Sequence, residues 1–288
     1  MNRRLPPAFA LMALPLLAIL VLGFLPLMVV VVWSVWTWDP LTYWIRPDFN
    51  LGSYAAILEA GRWMVIVSTL GKALLTALIC LLIGWPTAYA VHFLAGRRLS
   101  LILLALMTVP FFTSYLIRSF SWRLVLGRTG VVNDLLIHLG LLSAPLDWLL
   151  FSNFAVLVGL VASCLPFATF PLLLSMRRVD PVLLVAAEDL GAGFWTRLST
   201  IVVPLTMPGI FAGFLFVFVM VVGSSTEVQM LGGAGASIVS VMINDVMRVA
   251  NYPLAFAISS VVLLVIFSVV LAGNARFGLA RLFGEGQS

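Results

Sequence analysis

The chain has 288 residues, of which 62% are hydrophobic and only 9% are charged, and its mean hydropathy is +1.16. Soluble globular domains carry about 25% charged residues, so this composition excludes that class and indicates an integral membrane protein. The net charge of +5 comes from arginines scattered singly and in pairs between apolar runs. Such scattering is typical of membrane loops and argues against a nucleic-acid-binding surface.

No residue pattern indicates an enzyme, a metal site or a bound cofactor. Cys80 and Cys164 lie inside apolar runs and are interpreted as small buried hydrophobes, with a disulfide, metal or redox role as the less favoured alternative. His92 and His138 are isolated from Cys, Asp and Glu. We therefore expect a protein that is not an enzyme and binds no cofactor itself.

Long apolar runs predict an all-α, polytopic membrane protein with about six transmembrane helices, because about 20 apolar residues cross a bilayer. The predicted spans are Ala8–Trp33, Trp63–Phe93, Leu99–Ile117, Phe154–Met176, Met207–Met230 and Tyr252–Gly273. The first run is about twice as long as the apolar core of a signal peptide, so it is interpreted as a retained helix. Since no composition shift marks a soluble part, residues 1–288 are expected to form a single transmembrane domain.

The arginines also predict the orientation, because positive charge is retained on the cytoplasmic side. With the N-terminus inside, the cytoplasmic segments hold more arginines than the outer ones, so both termini are expected in the cytoplasm. The cytoplasmic arginines are then Arg3, Arg4, Arg97, Arg98, Arg177, Arg178, Arg197, Arg276 and Arg281. The segment from Arg118 to Leu150 is broken by glycines and Pro145 and is expected to form short helices at the outer surface.

The segment between the fourth and fifth spans has strong local signals. Asp180 followed by Pro181 predicts an N-cap and the first position of a short helix that continues to Leu190. Gly191 and Gly193 then allow a sharp turn before a second short helix. The expected local structure is therefore helix, break, helix on the cytoplasmic face.

This segment resembles the cytoplasmic loop of the inner-membrane permease subunits of ATP-binding cassette (ABC) importers. Their pattern is Glu-Ala-Ala, three residues, Gly, nine residues, Ile, one residue, Leu-Pro. The residues that match are Ala186, Ala187, Gly191, Ile201 and Pro204. Val185 replaces the glutamate and Val203 the leucine, while Glu188 and Asp189 keep acidic character nearby.

The wider resemblance covers nearly the whole chain and is nearest to the spermidine/putrescine type of permease. It is carried by PFFTSYLIRSFSWRLVLGRTGVVNDLL from Pro110, LPFATFPLLLSMRRVD ending at Asp180, VPLTMPGIFAG ending at Gly213, and LGG at Leu231. These segments together imply a permease domain in the bacterial plasma (inner) membrane. Residues 177–205 would hold a coupling helix that docks on a separate ATPase subunit.

The resemblance also implies which partners to expect. They are two ATP-binding subunits, a second similar permease, an extracytoplasmic substrate-binding protein and membrane lipid, with no nucleic acid. The sequence has no P-loop of the form G-x-x-x-x-G-K-[ST]. The nearest match contains Gly71 and Lys72, but it has Ile66 at the position of the first glycine and Ala73 at the position of the serine or threonine. ATP is therefore expected to be used by the partners. The residues assigned to ATPase coupling are Ala186, Ala187, Glu188, Asp189, Gly191, Ile201 and Pro204.

Polar groups in or near apolar spans are candidates for the substrate pathway, because they are costly there unless paired or solvated. Glu227, with Ser224 and Ser225, is placed to attract a cationic amine; the alternative is an acid that simply reaches water at the interface. Tyr115 and Arg118 share one helix face with Trp122, and interfacial anchoring explains them equally well.

Lys72, the only lysine, lies inside the second predicted span. It is expected either to pair with an acid of a partner subunit or to face an aqueous cavity.

We therefore expect half of the translocation pathway of an ATP-driven importer for a small organic solute, most directly a polyamine such as spermidine or putrescine. Opines and other small organic solutes are the alternative substrates. A self-sufficient secondary transporter is the alternative from another class, and it would show internal repeats with helices broken at mid-membrane.

Overall fold

A computed structural model describes residues 7–277, and these residues are mostly helical with almost no strands, which confirms the all-α class. Arg3, Arg4 and Arg281, which entered the orientation argument, lie outside the described residues. Two three-residue strands, β1 (Thr37–Asp39) and β2 (Trp44–Arg46), form an antiparallel hairpin that the sequence did not predict. The α-helices of the described part are α1 (Pro7–Trp33), α2 (Gly52–Glu59), α3 (Arg62–Tyr89), α4 (Arg97–Thr108), α5 (Tyr115–Leu126), α6 (Val131–His138), α7 (Asn153–Met176), α8 (Pro181–Asp189), α9 (Phe194–Arg197), α10 (Val203–Gly223), α11 (Thr226–Leu231), α12 (Val239–Arg248) and α13 (Tyr252–Phe277).

Five helical stretches within the described residues are long and apolar enough to cross a membrane. They are Pro15–Trp33, Arg62–Leu94, Asn153–Met176, Phe194–Gly223 and Tyr252–Arg276, and each overlaps a predicted span. Two of the stretches are longer than their α-helices because they include π-helical segments. Ala90–Leu94 continues α3, and Leu198–Val202 connects α9 to α10.

The third predicted span, Leu99–Ile117, is divided in the structure. Helix α4 ends at Thr108, a 3-10 turn follows over Val109–Phe112, and the backbone is extended at Thr113 and Ser114 before α5 begins. Pro110 contributes to the break, since proline lacks a backbone N–H.

The fifth predicted span also ends early, at Gly223 rather than Met230. Apolar composition alone located these runs but not their interruptions.

The described chain divides into two compact units, the first comprising residues 7–63 and 243–265. In this unit Trp33 stacks on Trp36, with ring centroids 5.4 Å apart. The hairpin carries an ion pair in which Arg46 donates to Asp39 at 2.8 Å. The backbone N–H of Leu41, together with Arg46, holds the pKa of Asp39 below its ordinary value.

The second unit comprises residues 64–242 and 266–277, and its central contact is between α7 and α10. Gly209 and Gly213, four residues apart on α10, lie directly against α7. A Cβ added at Gly209 would collide with the Ser175 side chain and lie 2.7 Å from the Pro171 carbonyl oxygen. One added at Gly213 would lie 2.9 Å from the carbonyl oxygen of Ala168. Small residues at this spacing let two membrane helices approach until their backbones touch.

We expect Gly209→Val to destabilise the α7–α10 contact by about 1–3 kcal/mol, because the added side chain overpacks an occupied interface. The measurement is thermal unfolding of the detergent-solubilised chain. Gly71→Val is the matched control, since a Cβ at Gly71 meets no atom within 4 Å. Equal stability of the two variants would show that α7 and α10 do not depend on close backbone approach.

Candidate functional site

A cavity of about 340 Å³ lies in the second unit, where α5, α7, α10 and α11 meet. Its lining residues are Tyr115, Ser163, Cys164, Val219, Met220, Gly223, Ser224, Ser225, Thr226 and Glu227. Four of the five residues predicted for the substrate pathway, Tyr115, Ser224, Ser225 and Glu227, therefore line one space.

The break between α10 and α11 places Glu227 in this cavity. Ser224 is extended, so the chain leaves α10 at Gly223 and starts a new helix at Thr226. Glu227 falls in the first turn of α11, where the helix dipole favours an acid. Its residue surface is only 2% exposed, so this side chain does not extend to the surface of the chain.

Two hydroxyl groups hold the Glu227 carboxyl group. Ser163 of α7 donates to Oε1 at 2.8 Å, and Ser224 donates to Oε2. A buried carboxyl group is costly unless such donors replace water. Sequence analysis did not select Ser163 or Cys164, although a hydroxyl group inside an apolar span is a signal that could have identified Ser163.

Arg118 lies beside the cavity but does not line it. Its guanidinium carbon is 4.9 Å from the centroid of the Tyr115 ring, which is a cation–π contact. Its Nη1 donates to the Pro110 carbonyl oxygen at 3.5 Å, and its Nε is buried without a hydrogen-bond partner. Trp122 also lies outside the set of lining residues.

Lys72 has a partner within the chain. Its Nζ donates to the Ser237 carbonyl oxygen at 3.1 Å. One helical turn before Lys72 on α3, the Oγ1 of Thr69 accepts a hydrogen bond from the backbone N–H of Val239 at 2.9 Å. The two contacts tie α3 to the first residue of α12 and to the segment just before it. Neither an acid of another subunit nor the cavity is needed to explain the position of this lysine.

The segment between α7 and α10, residues 177–205, has the helix, break, helix structure that the sequence predicts. The Asp180 side chain accepts the Val182 N–H at 2.9 Å and so caps α8 at the predicted position. Gly191 ends the helix with a φ of +83°, in the left-handed region that favours glycine. The N–H groups of Gly191 and Ala192 donate to the carbonyls of Glu188 and Ala187 at 2.8 and 2.9 Å.

The residues assigned to coupling divide into an exposed set and a supporting set. Ala186, Glu188, Asp189, Gly191 and Pro204 are exposed, and Ala187 is half-buried. Ile201 instead packs against a buried cluster formed by Ala88, Leu172, Met176, Val179 and Val202. Ile201 therefore supports the segment from inside rather than forming part of its outer surface.

Sequence analysis missed a group of exposed apolar side chains on the same segment. Its members are Val182, Leu183, Val185, Leu190, Phe194 and Trp195. Leu190 and Trp195 are the most exposed, at 89% and 77%. Val182, Leu183, Val185 and Leu190 lie outside the candidate spans, where clustered apolar side chains mark contact surfaces, so these four extend the predicted contact region beyond the alanines. Phe194 and Trp195 lie at the start of the candidate span Phe194–Gly223.

Comparison with known proteins identifies the family. Residues 80–277 match the model of the family described as "Binding-protein-dependent transport system inner membrane component". The chain belongs to this family. It is also 34% identical over 251 residues to the "Spermidine/putrescine transport system permease protein PotB" of Salmonella typhimurium, covering 86% of this chain and 85% of that protein. The Escherichia coli protein of the same name is 33% identical, with 86% and 89% covered.

The fold agrees with this membership. A chain of the crystal structure of a bacterial alginate ABC transporter, in complex with alginate pentasaccharide-bound periplasmic protein, matches with a TM-score of 0.73 and 16% identity. The match covers 93% of this chain and 92% of that one. This protein is therefore a multi-pass inner-membrane permease subunit and a transport component rather than an enzyme. Membership implies ATPase and substrate-binding-protein partners.

We expect the permease cavity to be reachable by water. A Ser225→Cys variant should react with a water-soluble maleimide, because Ser225 lines the cavity. Ala168→Cys is the matched control, since Ala168 is fully buried in the α7–α10 contact. The extent of labelling at each introduced cysteine is measured by mass spectrometry of the chain after reaction in membrane vesicles. Equal labelling of the two cysteines would contradict the assignment of the cavity as an open space.

Proposed function

We propose that this permease forms half of the translocation pathway of an ATP-driven polyamine importer. The observation that carries the substrate class is the Glu227 carboxyl group on the wall of the cavity, held by Ser163 and Ser224. Spermidine and putrescine appear in the names of relatives that are 33% and 34% identical to the chain. Both solutes are chains of methylene groups that carry amines.

The lining of the cavity fits that chemistry. Among the described residues that line it, Glu227 is the one acid and there is no lysine or arginine. An ammonium group near a carboxylate gains a charge-assisted hydrogen bond. Val219 and Met220 supply apolar surface for the methylene groups, while the serines and Thr226 offer further oxygen acceptors. The arrangement favours a slender cationic amine over an anion.

The segment 177–205 supplies the proposed connection to ATP. We infer that two ATP-binding subunits act on this permease and on a second, similar one, with α8 as the coupling helix, and that ATP is hydrolysed by those partners. If α4 and α5 together make one crossing, as the third predicted span requires, the orientation that places the segment in the cytoplasm also places both termini there. Alternation between outward-open and inward-open states would then be a rigid-element motion driven through α8.

We expect Glu227→Gln to lower polyamine uptake by at least about tenfold, since it removes a charge-assisted interaction of about 1.5–3 kcal/mol while keeping the shape of the side chain. The decrease is measured as the uptake of labelled spermidine into proteoliposomes that contain the complete transporter. Glu59→Gln removes an exposed acid at the end of α2 and serves as the control. Wild-type uptake by the Glu227 variant would refute the assigned role of this carboxyl group.

We expect Gly191→Val to uncouple ATP hydrolysis from uptake, because a β-branched residue does not tolerate a φ of +83° without strain. Gly193→Val is the matched control: Gly193 has a φ of −67°, and a Cβ at either position meets no atom within 4 Å. The ratio of ATP hydrolysed to spermidine imported is the measured quantity. If both variants keep the wild-type ratio, the turn at Gly191 is not part of the coupling machinery.

A further inference from the structure

We propose that the ion pair between Glu188 and Arg197 fixes the angle between α8 and α9, and so determines the shape that the segment 177–205 presents to its ATPase partner. This inference rests on the proposed function. It assigns Glu188 to positioning within the chain rather than to direct contact with another subunit.

The two residues lie at corresponding ends of neighbouring helices. Glu188 is in the last turn of α8 and Arg197 is the last residue of α9, nine positions later. Nη1 of Arg197 donates to Oε2 of Glu188. An acid near a helix C-terminus opposes the helix dipole, so Glu188 benefits from a cation at this point. The pair therefore connects the ends of α8 and α9 across the turn at Gly191–Gly193.

The two partners are held differently. The Glu188 side chain is 65% exposed, whereas that of Arg197 is 22% exposed and its Nε is buried. Burial limits the conformations open to the Arg197 side chain before the pair forms. The planar guanidinium group then presents its N–H donors in a fixed geometry. Because Arg197 is largely buried, solvent screens this pair less than a fully exposed ion pair. The pair joins the ends of the two helices, so its effect is on the direction of α9 relative to α8.

Each helix is also attached separately to the transmembrane helices of the same unit. Leu184 of α8 packs against the buried cluster that includes Met176 and Val202. Phe194 of α9 meets the ring of Tyr89 edge-on, with centroids 6.3 Å apart and planes at 88°. The ion pair adds a third link to these two attachments. With all three in place, a displacement of α8 is transferred to α9 and onward to α10.

The acid that remains for a partner is Asp189. The family pattern places a glutamate at position 185, where this chain has Val185, and position 189 lies one helical turn further along the same face of α8. Asp189 is exposed and forms no ion pair with any described residue. Glu188, in contrast, already has its partner. The two adjacent acids therefore have different roles.

Spin labels test the inference on the complete transporter reconstituted in lipid. Labels at Val182→Cys and Ser199→Cys report the distance between the start of α8 and the residues after α9, and both positions are exposed. Cys80→Ala and Cys164→Ala remove the native thiols, since Cys164 lines the cavity. We expect Glu188→Gln and Arg197→Gln each to broaden this distance distribution and to raise the ATP hydrolysed per spermidine imported. The exchanged pair, Glu188→Arg with Arg197→Glu, should restore both readouts. Asp189→Asn should leave the distance distribution unchanged.

Several results would overturn the inference. An unchanged distance distribution in both single variants would show that the pair does not set the angle, and failure of the exchanged pair to restore it would show that charge pairing is not the cause. A broadened distribution with an unchanged ATP ratio would show that the angle does not matter to the partner. If instead the wild-type transporter hydrolyses ATP without importing spermidine, the proposed function fails, while the distances still test the ion pair.

Discussion

The close contact between α7 and α10 is the constraint on which both candidate sites depend. Gly209 and Gly213 remove side chains from the interface, so the two helices meet at Ser175 and Ala168 with their backbones nearly touching. Apolar side chains gain little by leaving lipid for a helix interface, so tight packing has to supply much of the association. Because the helices are in such close contact, neither can move far without displacing the other.

This contact links the cytoplasmic segment with the cavity. Helix α10 follows α9 through a π-helical segment, and its last residues, Val219, Met220 and Gly223, line the cavity. Helix α7 contributes Ser163 to the cavity and Met176 to the buried cluster beneath α8. Both helices therefore run from one site to the other. Since π-helical turns are frequent at functional positions, the one over Leu198–Val202 marks where motion of α9 would enter α10.

Local sequence signals were sufficient for elements whose conformation depends on near neighbours. The Asp180 cap, the start of α8 at Pro181 and the turn at Gly191 follow from side-chain chemistry within a few residues, and all three occur as predicted. The long apolar runs were likewise found, because twenty consecutive apolar residues have few alternatives to a membrane helix. The break at Thr113 was missed because apolar residues lie on both sides of it. The end of α10 at Gly223 was missed because the predicted span was extended across the polar residues Ser224 to Glu227 as far as Met230.

The sequence by itself determined the class of the molecule, its candidate spans and the helical segment resembling a coupling loop, because hydropathy, capping and turn formation are properties of contiguous residues. Only the tertiary structure decided three features of the polar side chains. Glu227 is buried and accepts a hydrogen bond from Ser163, Lys72 donates a hydrogen bond to the Ser237 carbonyl oxygen, and Glu188 forms an ion pair with Arg197. Glu227 and Lys72 find their partners 64 and 165 residues away in the chain. Such distant pairs are set by how the helices pack, and no local pattern records that packing.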